Sequence, residues 1–122
     1  MPRYIILMHD PAPLQKKMCE LNSDAVAATV GKYMAWAGKM AGAGKMRGGE
    51  KLSPANGRVL NRAGNSLKVS TSGYRQDQAM LGGFFIIEAD NYEQACELCR
   101  DNPQLEEGGI IEIRELEEMR QA

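Results

Sequence analysis

Residues 81–116 read LGGFFIIEADNYEQACELCRDNPQLEEGGIIEIREL and carry the clearest secondary-structure signals of the chain. This stretch opens with an apolar run, Leu81–Ala89, which is rich in β-forming residues and too short for a core helix. A helical segment is expected over 91–101, and a second β-forming run occupies 110–114. The stretch therefore predicts a strand, a helix and a strand in succession.

Signals at both ends of this helix predict its bounds. Asp90 is the expected N-cap, and Glu93 stands three positions later, as in a capping box. Pro103 is expected to close the helix, because proline cannot continue it. The predicted buried stripe of the helix consists of Tyr92, Ala95, Cys96 and Cys99.

The N-terminal third predicts a strand followed by helices. Tyr4–Met8 is continuously apolar, as a central strand is, and the segment 9–13 with its two prolines is expected to end it. A short helical turn is expected over 14–21, and a long helix follows the N-cap candidates at 22–24. The apolar stripe predicted for the long helix consists of Val26, Val30, Tyr33, Ala37 and Met40.

The middle of the chain predicts a strand and a hairpin. A strand is expected over 45–52, and the pair Gly48-Gly49 within it indicates a bulge or a close backbone approach. Two extended segments at 58–61 and 67–71 flank the tight-turn residues at 63–66.

This order of elements predicts an α+β fold, namely a ferredoxin-like β-α-β-β-α-β arrangement with an inserted hairpin, in a single domain over 1–122. Both helices are expected to cover one face of the sheet. Strand alternation predicts Ile5, Leu7, Phe84 and Ile86 on one face and Ile6, Phe85 and Ile87 on the other. Because apolar side chains stand on both faces, we expect a homodimer that covers the second face by packing two sheets together.

Composition and charge argue against several classes of protein. The 122 residues suffice for one hydrophobic core. The 15 basic and 16 acidic residues give a net charge of −1, which lacks the excess of positive charge that is typical of nucleic-acid-binding proteins. No stretch approaches the roughly 20 apolar residues of a transmembrane helix, and the N-terminus reads as a strand and not as a signal peptide. Three cysteines, an odd number, do not form a disulfide framework, so a cytoplasmic location is expected.

Several segments taken together resemble a known family. They are YIILM at 4–8, the helix that carries Trp36, GGEKLSP at 48–54, LGGFFIIEAD at 81–90 and GGIIEIR at 108–114. In this order and spacing, the chain resembles the YCII-related family over nearly its whole length, in particular its DGPF branch. The resemblance implies a ferredoxin-like domain that pairs into a dimeric α/β barrel and has no established activity.

The chain also departs from the pattern of that family. The Asp-Gly-Pro-Phe stretch of the branch stands here as Ser72-Gly73-Tyr74-Arg75, and the Asp-Pro after the second helix stands as Asn102-Pro103. A histidine that relatives carry near the first helix is not matched. Some relatives are linked to lyase-like or dehydrochlorinating chemistry through a His–Asp pair, and these departures give no ground for carrying that pair over.

His9 and Asp10 are the catalytic candidates. His9 is the only histidine, and an imidazole that a carboxylate orients can move protons. Adjacent strand residues point to opposite faces, so the two side chains can cooperate only if the chain turns, which Pro11 allows. The alternative is a strand-end histidine bonded to the backbone beside a turn-forming Asp10.

A second set of residues indicates a ligand site. Trp36, Arg58, Tyr74 and Arg75 are the candidates to line a pocket between sheet and hairpin, which suits a flat or anionic small molecule. The alternative places the indole in the core or in the dimer contact and the arginines in solvent.

The pair Cys96-x-x-Cys99 is similar to a redox or metal-binding motif. Redox pairs stand at a helix N-terminus, whereas this pair is expected one to two turns inside its helix, on the apolar stripe. A zinc site would need Cys19 and His9 as further ligands. Buried core thiols, with no metal and no cofactor, are the favoured interpretation.

Three functions are consistent with these features. The first is a dimeric module that binds a small molecule in a pocket between sheet and helices. The second is a cofactor-free enzyme that performs proton-transfer or elimination chemistry with His9 as acid or base. The third is a partner-binding surface on the polar segment 72–80, which is expected to be a surface loop.

Overall fold

The computed structural model describes residues 1–54, 57–71 and 79–119. These residues form β1 (Arg3–Pro11), α1 (Ala12–Cys19), α2 (Ser23–Gly42), β2 (Met46–Lys51), β3 (Val59–Ala63), β4 (Ser66–Ser70), β5 (Ala79–Glu88), α3 (Tyr92–Leu98), α4 (Pro103–Glu106) and β6 (Ile110–Glu115).

The main sheet has four strands in the order β2-β5-β1-β6, and each strand is antiparallel to its neighbours. Strands β3 and β4 form a separate two-stranded sheet, the predicted hairpin, around the turn Gly64-Asn65. The predicted bulge in β2 is present as a register shift between Met46 and Gly48. A mixed α+β fold is therefore confirmed. No helix in the described segments is long and apolar enough to cross a membrane.

The helices cover one face of the main sheet, as predicted. The buried core consists of Tyr4, Ile6, Ile87 and Ala89 from the sheet side and Trp36, Met40, Ala95 and Cys99 from α2 and the end of α3. The rings of Trp36 and Phe85 lie 5.0 Å apart between their centroids. Ile6 and Ile87 are fully buried, whereas Ile5 and Ile86 on the other face are only half-buried. The predicted division of the strand residues between the two faces is confirmed.

The apolar stripe predicted for α2 is wrong in its first half. Val26 and Val30 are 43% and 45% exposed, and the buried face instead passes through Tyr33, Trp36 and Met40. The large indole buries far more apolar area than two valines do, so its burial determines which face of α2 packs against the sheet.

The ends of α3 and α4 also differ from the prediction. Asn91, not Asp90, caps α3: its Oδ1 accepts from the backbone N–H of Gln94 at 2.8 Å, and Oε1 of Gln94 accepts from the N–H of Asp90 at 2.6 Å. The helix ends at Leu98, and Pro103 begins α4 instead of closing α3. A proline fits the first turn of a helix because its missing N–H has no intrahelical partner there.

Two strands are longer than predicted. β1 continues beyond Met8 through His9 to Pro11. Its pairing with β6 stops at His9, so Pro11 pairs with β5 alone. A strand can contain a proline at such a position because the missing N–H is not needed for a second ladder. β5 begins at Ala79, so the last two residues of the predicted 72–80 loop belong to a strand. Residues 72–78 lie outside the described residues.

Candidate functional site

The face of the main sheet that points away from the helices has an apolar centre. This centre consists of Ile5, Leu7, Phe84 and Ile86. Leu7 pairs with Phe84 in the middle of the sheet. On the outer strands, Glu112 pairs with Leu7 and Glu50 pairs with Phe84, so a glutamate lies on each side of the apolar pair. We call this surface, with its apolar centre and its two border glutamates, the open sheet face.

His9 lies at one end of the open sheet face and pairs with Glu112 of β6. Its Nε2 is 2.9 Å from Oε1 of Glu112, and the two side chains are 27% and 44% exposed. Because a carboxylate only accepts hydrogen bonds, Nε2 is the donor, and Nδ1 is the acceptor that a neutral imidazole presents to a ligand. The carboxylate therefore orients the ring, which is the role that was considered for Asp10.

The side chain of Asp10 lies on the other side of the sheet, as alternation along a strand requires, and it does not meet the ring of His9. The register of β1 and β5 shifts after Met8, which leaves Gly82 as an extra residue. A Cβ on Gly82 would lie 2.4 Å from Oδ2 of Asp10. Glycine at this position therefore makes room for the carboxylate.

Gln104 joins α4 to the end of β1. Its side chain is 2% exposed, and its Nε2 donates to the carbonyl oxygen of His9 at 2.9 Å and to Oδ1 of Asp10 at 2.8 Å. Its Oε1 accepts from the hydroxyl of Tyr33 at 2.7 Å. A Cβ on Gly109 would lie 2.1 Å from Nε2 of Gln104, so this glycine leaves space for the amide. We call Asp10, Gln104 and Tyr33 the buried network.

Tyr33 is a fixed donor in the buried network. Burial, together with the nearby carboxylates of Asp10 and Glu107, raises the pKa of Tyr33 to about 12. The phenol therefore keeps its proton at neutral pH and donates to Gln104. The network holds the end of β1, and with it the backbone of His9, in place.

Glu107 ties α1 and α2 to the end of α4. Its side chain is 8% exposed and accepts from Nζ of Lys17 at 2.7 Å and from Nζ of Lys32 at 3.2 Å. Hydrogen bonds from these two lysines lower the pKa of Glu107.

We expect Glu107→Gln to lower the free energy of unfolding by about 1–2 kcal/mol at neutral pH, because it removes the negative charge that strengthens the hydrogen bonds from two lysines. Since the folded-state pKa of Glu107 is lowered, its contribution is complete above the unfolded-state pKa and is lost as pH falls through the folded-state pKa. Urea unfolding of both proteins should therefore show a difference that is constant above about pH 5 and shrinks below it.

The control is Glu106→Gln, whose carboxylate is 71% exposed and 3.8 Å from Lys32. This change should alter the free energy of unfolding by less than about 0.5 kcal/mol. An effect of Glu107→Gln that is the same at every pH would contradict the role of its charge.

Trp36 belongs to the core and lines a shallow groove at the surface. It is 4% exposed, and its indole N–H donates to the carbonyl oxygen of Leu98 at 3.2 Å. The groove has a volume of about 300 Å³, and its other lining residues are Lys32, Ala35, Lys39, Asp101 and Pro103. Lys39 and Asp101 are hydrogen-bonded to each other, so these charges are already paired.

Arg58 lies at the start of the hairpin, where it is exposed and donates to the carbonyl oxygen of Gly57 at 3.0 Å. Tyr74 and Arg75 lie outside the described residues. A pocket that these three residues form with Trp36 therefore stays a prediction.

The two cysteines of the Cys-x-x-Cys pair lie in different environments. Cys99 is buried in the core, and burial raises its pKa to about 12, whereas Cys96 is exposed. The predicted stripe is thus right for Ala95 and Cys99, which are buried, and wrong for Cys96 and Tyr92, which are exposed. The ring of Tyr92 packs edge-to-face on Tyr4. In the part of the chain that the structure describes, no three His, Cys, Asp or Glu side chains are placed to hold a metal.

Sequence reasoning missed three residues around His9. Glu112 had a signal, since it is a charged residue that interrupts a run of isoleucines in a strand that pairs with β1. Gln104 had no such signal, because it lies in a helix that begins at Pro103, and the sequence predicts that this proline closes α3. Tyr33 was expected in the buried stripe for its ring and not for its hydroxyl.

The chain is thus a small α+β protein whose main sheet has one face covered by helices and one open sheet face. The family model described as YCII-related domain matches residues 3–120. The chain therefore belongs to the YCII-related family. A search of curated proteins finds no match to the chain.

Proposed function

We propose that the protein is a homodimeric module that binds a small molecule, with two open sheet faces packed together and the ligand in contact with His9. The observation that carries the proposal is the apolar centre of the open sheet face with the His9–Glu112 pair at its border. In a single chain this centre faces water, and a second copy would remove it from water.

The strand order supports the finer architecture in this proposal. Four antiparallel strands ordered β2-β5-β1-β6 with helices on one face fit a ferredoxin-like topology for one domain over 1–122, and two such sheets face to face would form a dimeric α/β barrel. The exposed free thiols of Cys19 and Cys96 support a reducing, cytoplasmic location.

The chemistry of the site supports a flat, anionic ligand. The ring of His9 donates its Nε2–H to an orienting carboxylate, and in the protonated ring the Nδ1–H would be a second donor, directed to an anion. A planar body attached to this anion would lie between the two packed sheets, at the His9 end of the apolar centre.

Nuclear magnetic resonance tests this proposal, because the single His9 and the single Trp36 are unambiguous reporters. We expect benzoate to shift the ring signals of His9 in a saturable way and to leave the indole N–H signal of Trp36 in place. Glu112→Gln removes the charge that orients the ring and should weaken binding about tenfold.

Benzamide, the neutral analogue of benzoate, is the control for the role of the negative charge. It should bind more weakly than benzoate at His9. If neither compound shifts the signals of His9, or if only the signal of Trp36 moves, the proposed ligand site is wrong.

The second candidate function is proton transfer without a cofactor, and the 2.9 Å contact between His9 and Glu112 favours it. In this reaction Nδ1 of His9 would accept a proton from a carbon acid, and Glu112 would stabilise the resulting imidazolium. Deuterium exchange into the methyl group of pyruvate in D₂O tests it. The enzyme should accelerate exchange about 100-fold over His9→Gln, since general base catalysis contributes about that much. Equal rates would exclude it for this carbon acid.

A further inference from the structure

The β3–β4 hairpin presents a second apolar surface to solvent. Cross-strand pairing places Leu60 beside Val69 and Arg62 beside Leu67, so these four side chains share one face of the hairpin. Its apolar members are all exposed, with Leu60 at 57%, Val69 at 53% and Leu67 at 61%. We call this surface the arm face. Lys68 lies on the opposite face, because it pairs with Asn61.

A hairpin of this kind needs a packing surface. Two-stranded hairpins are marginally stable in water, and stable ones pack a hydrophobic face on another element. In the described residues, β3 and β4 pair with each other and are separate from the main sheet. The arm face is therefore suited to a surface outside its own sheet.

The charge of the hairpin indicates what kind of surface this is. Residues 57–71 contain Arg58, Arg62 and Lys68 and no acidic residue, which gives the segment a charge of +3. Because the whole chain has a charge of −1, the rest of the chain has a charge of −4. The hairpin is thus complementary in charge to the body of a second copy of the same chain.

The pattern of the open sheet face matches the arm face. Glu50, Phe84, Leu7 and Glu112 lie in one row across three strand pairs. The proposed dimer already covers the apolar middle of this row with the second sheet, so its two ends are what remain for the arm face. The carboxylates at these ends suit Arg62. Glu112 already pairs with His9, whereas Glu50 is exposed and has no ion pair with the described residues. Glu50 is therefore the carboxylate available to Arg62.

We propose that the arm face of each copy packs against the border of the open sheet face of a second copy, with Arg62 beside Glu50 of the other chain. This inference rests on the proposed homodimer and names the element that covers its border. Since the hairpin is inserted between β2, an edge strand, and its neighbour β5, it leaves the sheet at the edge that carries Glu50. A two-fold axis would exchange the two arms and give each copy the same contact.

Charge reversal on the full chain tests this contact, with the dimer dissociation constant measured by sedimentation velocity. Arg62→Glu should weaken the dimer at least about tenfold, because it places like charges together in two symmetric contacts. Lys68→Glu makes the same charge change on the opposite face of the same hairpin and should leave the dissociation constant within about threefold of the original.

Restoring the charge pair in the opposite sense completes the test. Glu50→Lys alone should weaken the dimer as Arg62→Glu does, and the double variant R62E/E50K should recover most of the affinity. Recovery also shows that both substitutions leave the chain folded.

The outcomes separate this inference from the proposed dimer. A monomeric original protein would contradict both. A dimer that dissociates on substitution in the apolar centre, but responds equally to Arg62→Glu and Lys68→Glu, would keep the dimer and overturn the arm contact. A double variant no tighter than its two single variants would overturn the pairing of Arg62 with Glu50.

Discussion

Leu7→Asp is expected to convert the dimer into a monomer at micromolar concentration. Leu7 lies in the centre of the open sheet face beside Phe84, where the proposed dimer buries it. A carboxylate there would lose its hydration against apolar side chains of the second copy, and the two-fold axis repeats the penalty. A cost of about 3 kcal/mol in each copy corresponds to a dissociation constant about 10⁴-fold higher.

The matched control is Leu105→Asp, the same change at a leucine of α4 that is 46% exposed on the helical side. It should leave the dimer intact. Circular dichroism should show that both variants fold, because Leu7 is only half-buried within a single chain. A Leu7→Asp protein that stays dimeric would mean that the open sheet face is not the interface.

The second large effect is expected from Gln104→Leu. Leucine fills a similar volume but leaves Oδ1 of Asp10 and the hydroxyl of Tyr33 without the partner that Gln104 provides. Each partly buried polar group left unpaired costs about 1–3 kcal/mol, so the free energy of unfolding should fall by about 3 kcal/mol. For a chain of this length, Tm should fall by about 10 °C in a calorimetric scan.

Gln15→Leu is the control for this change, because Gln15 donates a single hydrogen bond to the backbone oxygen of Asp10 in a less buried setting. Its effect should be about 1 kcal/mol or less. If the two variants are equally stable, the buried network does not hold the end of β1.

The strands of this fold are readable from the sequence because alternation directly sets their faces. Ile6 and Ile87 belong under the helices and Leu7 and Phe84 on the other face, and the structure places them there. Away from the register shifts at Gly82 and in β2, the two-residue step of a strand determines the face of each residue once one residue is assigned.

Helix faces and helix ends are less determined by local pattern. In α2, an apolar stripe through Val26 and one through Trp36 are both compatible with the spacing, and only packing on Phe85 selects the second. Pro103 is equally suited to follow one helix or to begin another. The chain uses it to begin α4, where Gln104 can then reach β1.

The candidate site was predictable only in part, because its contacts join distant segments. His9 is visible as the single histidine, but its partner Glu112 lies 103 residues away and becomes a neighbour through strand pairing. Asp10 is next to His9 in sequence and lies on the other side of the sheet, where Gln104 binds it. Strand geometry predicts the separation of His9 and Asp10 but not which groups they meet.

Sedimentation equilibrium of the unmodified protein at micromolar concentration measures whether two copies associate. A second copy that covers the open sheet face predicts a mass of twice 13.4 kDa. A single species of 13.4 kDa at these concentrations would rule out the dimer, since the apolar centre of the sheet would then be exposed to water.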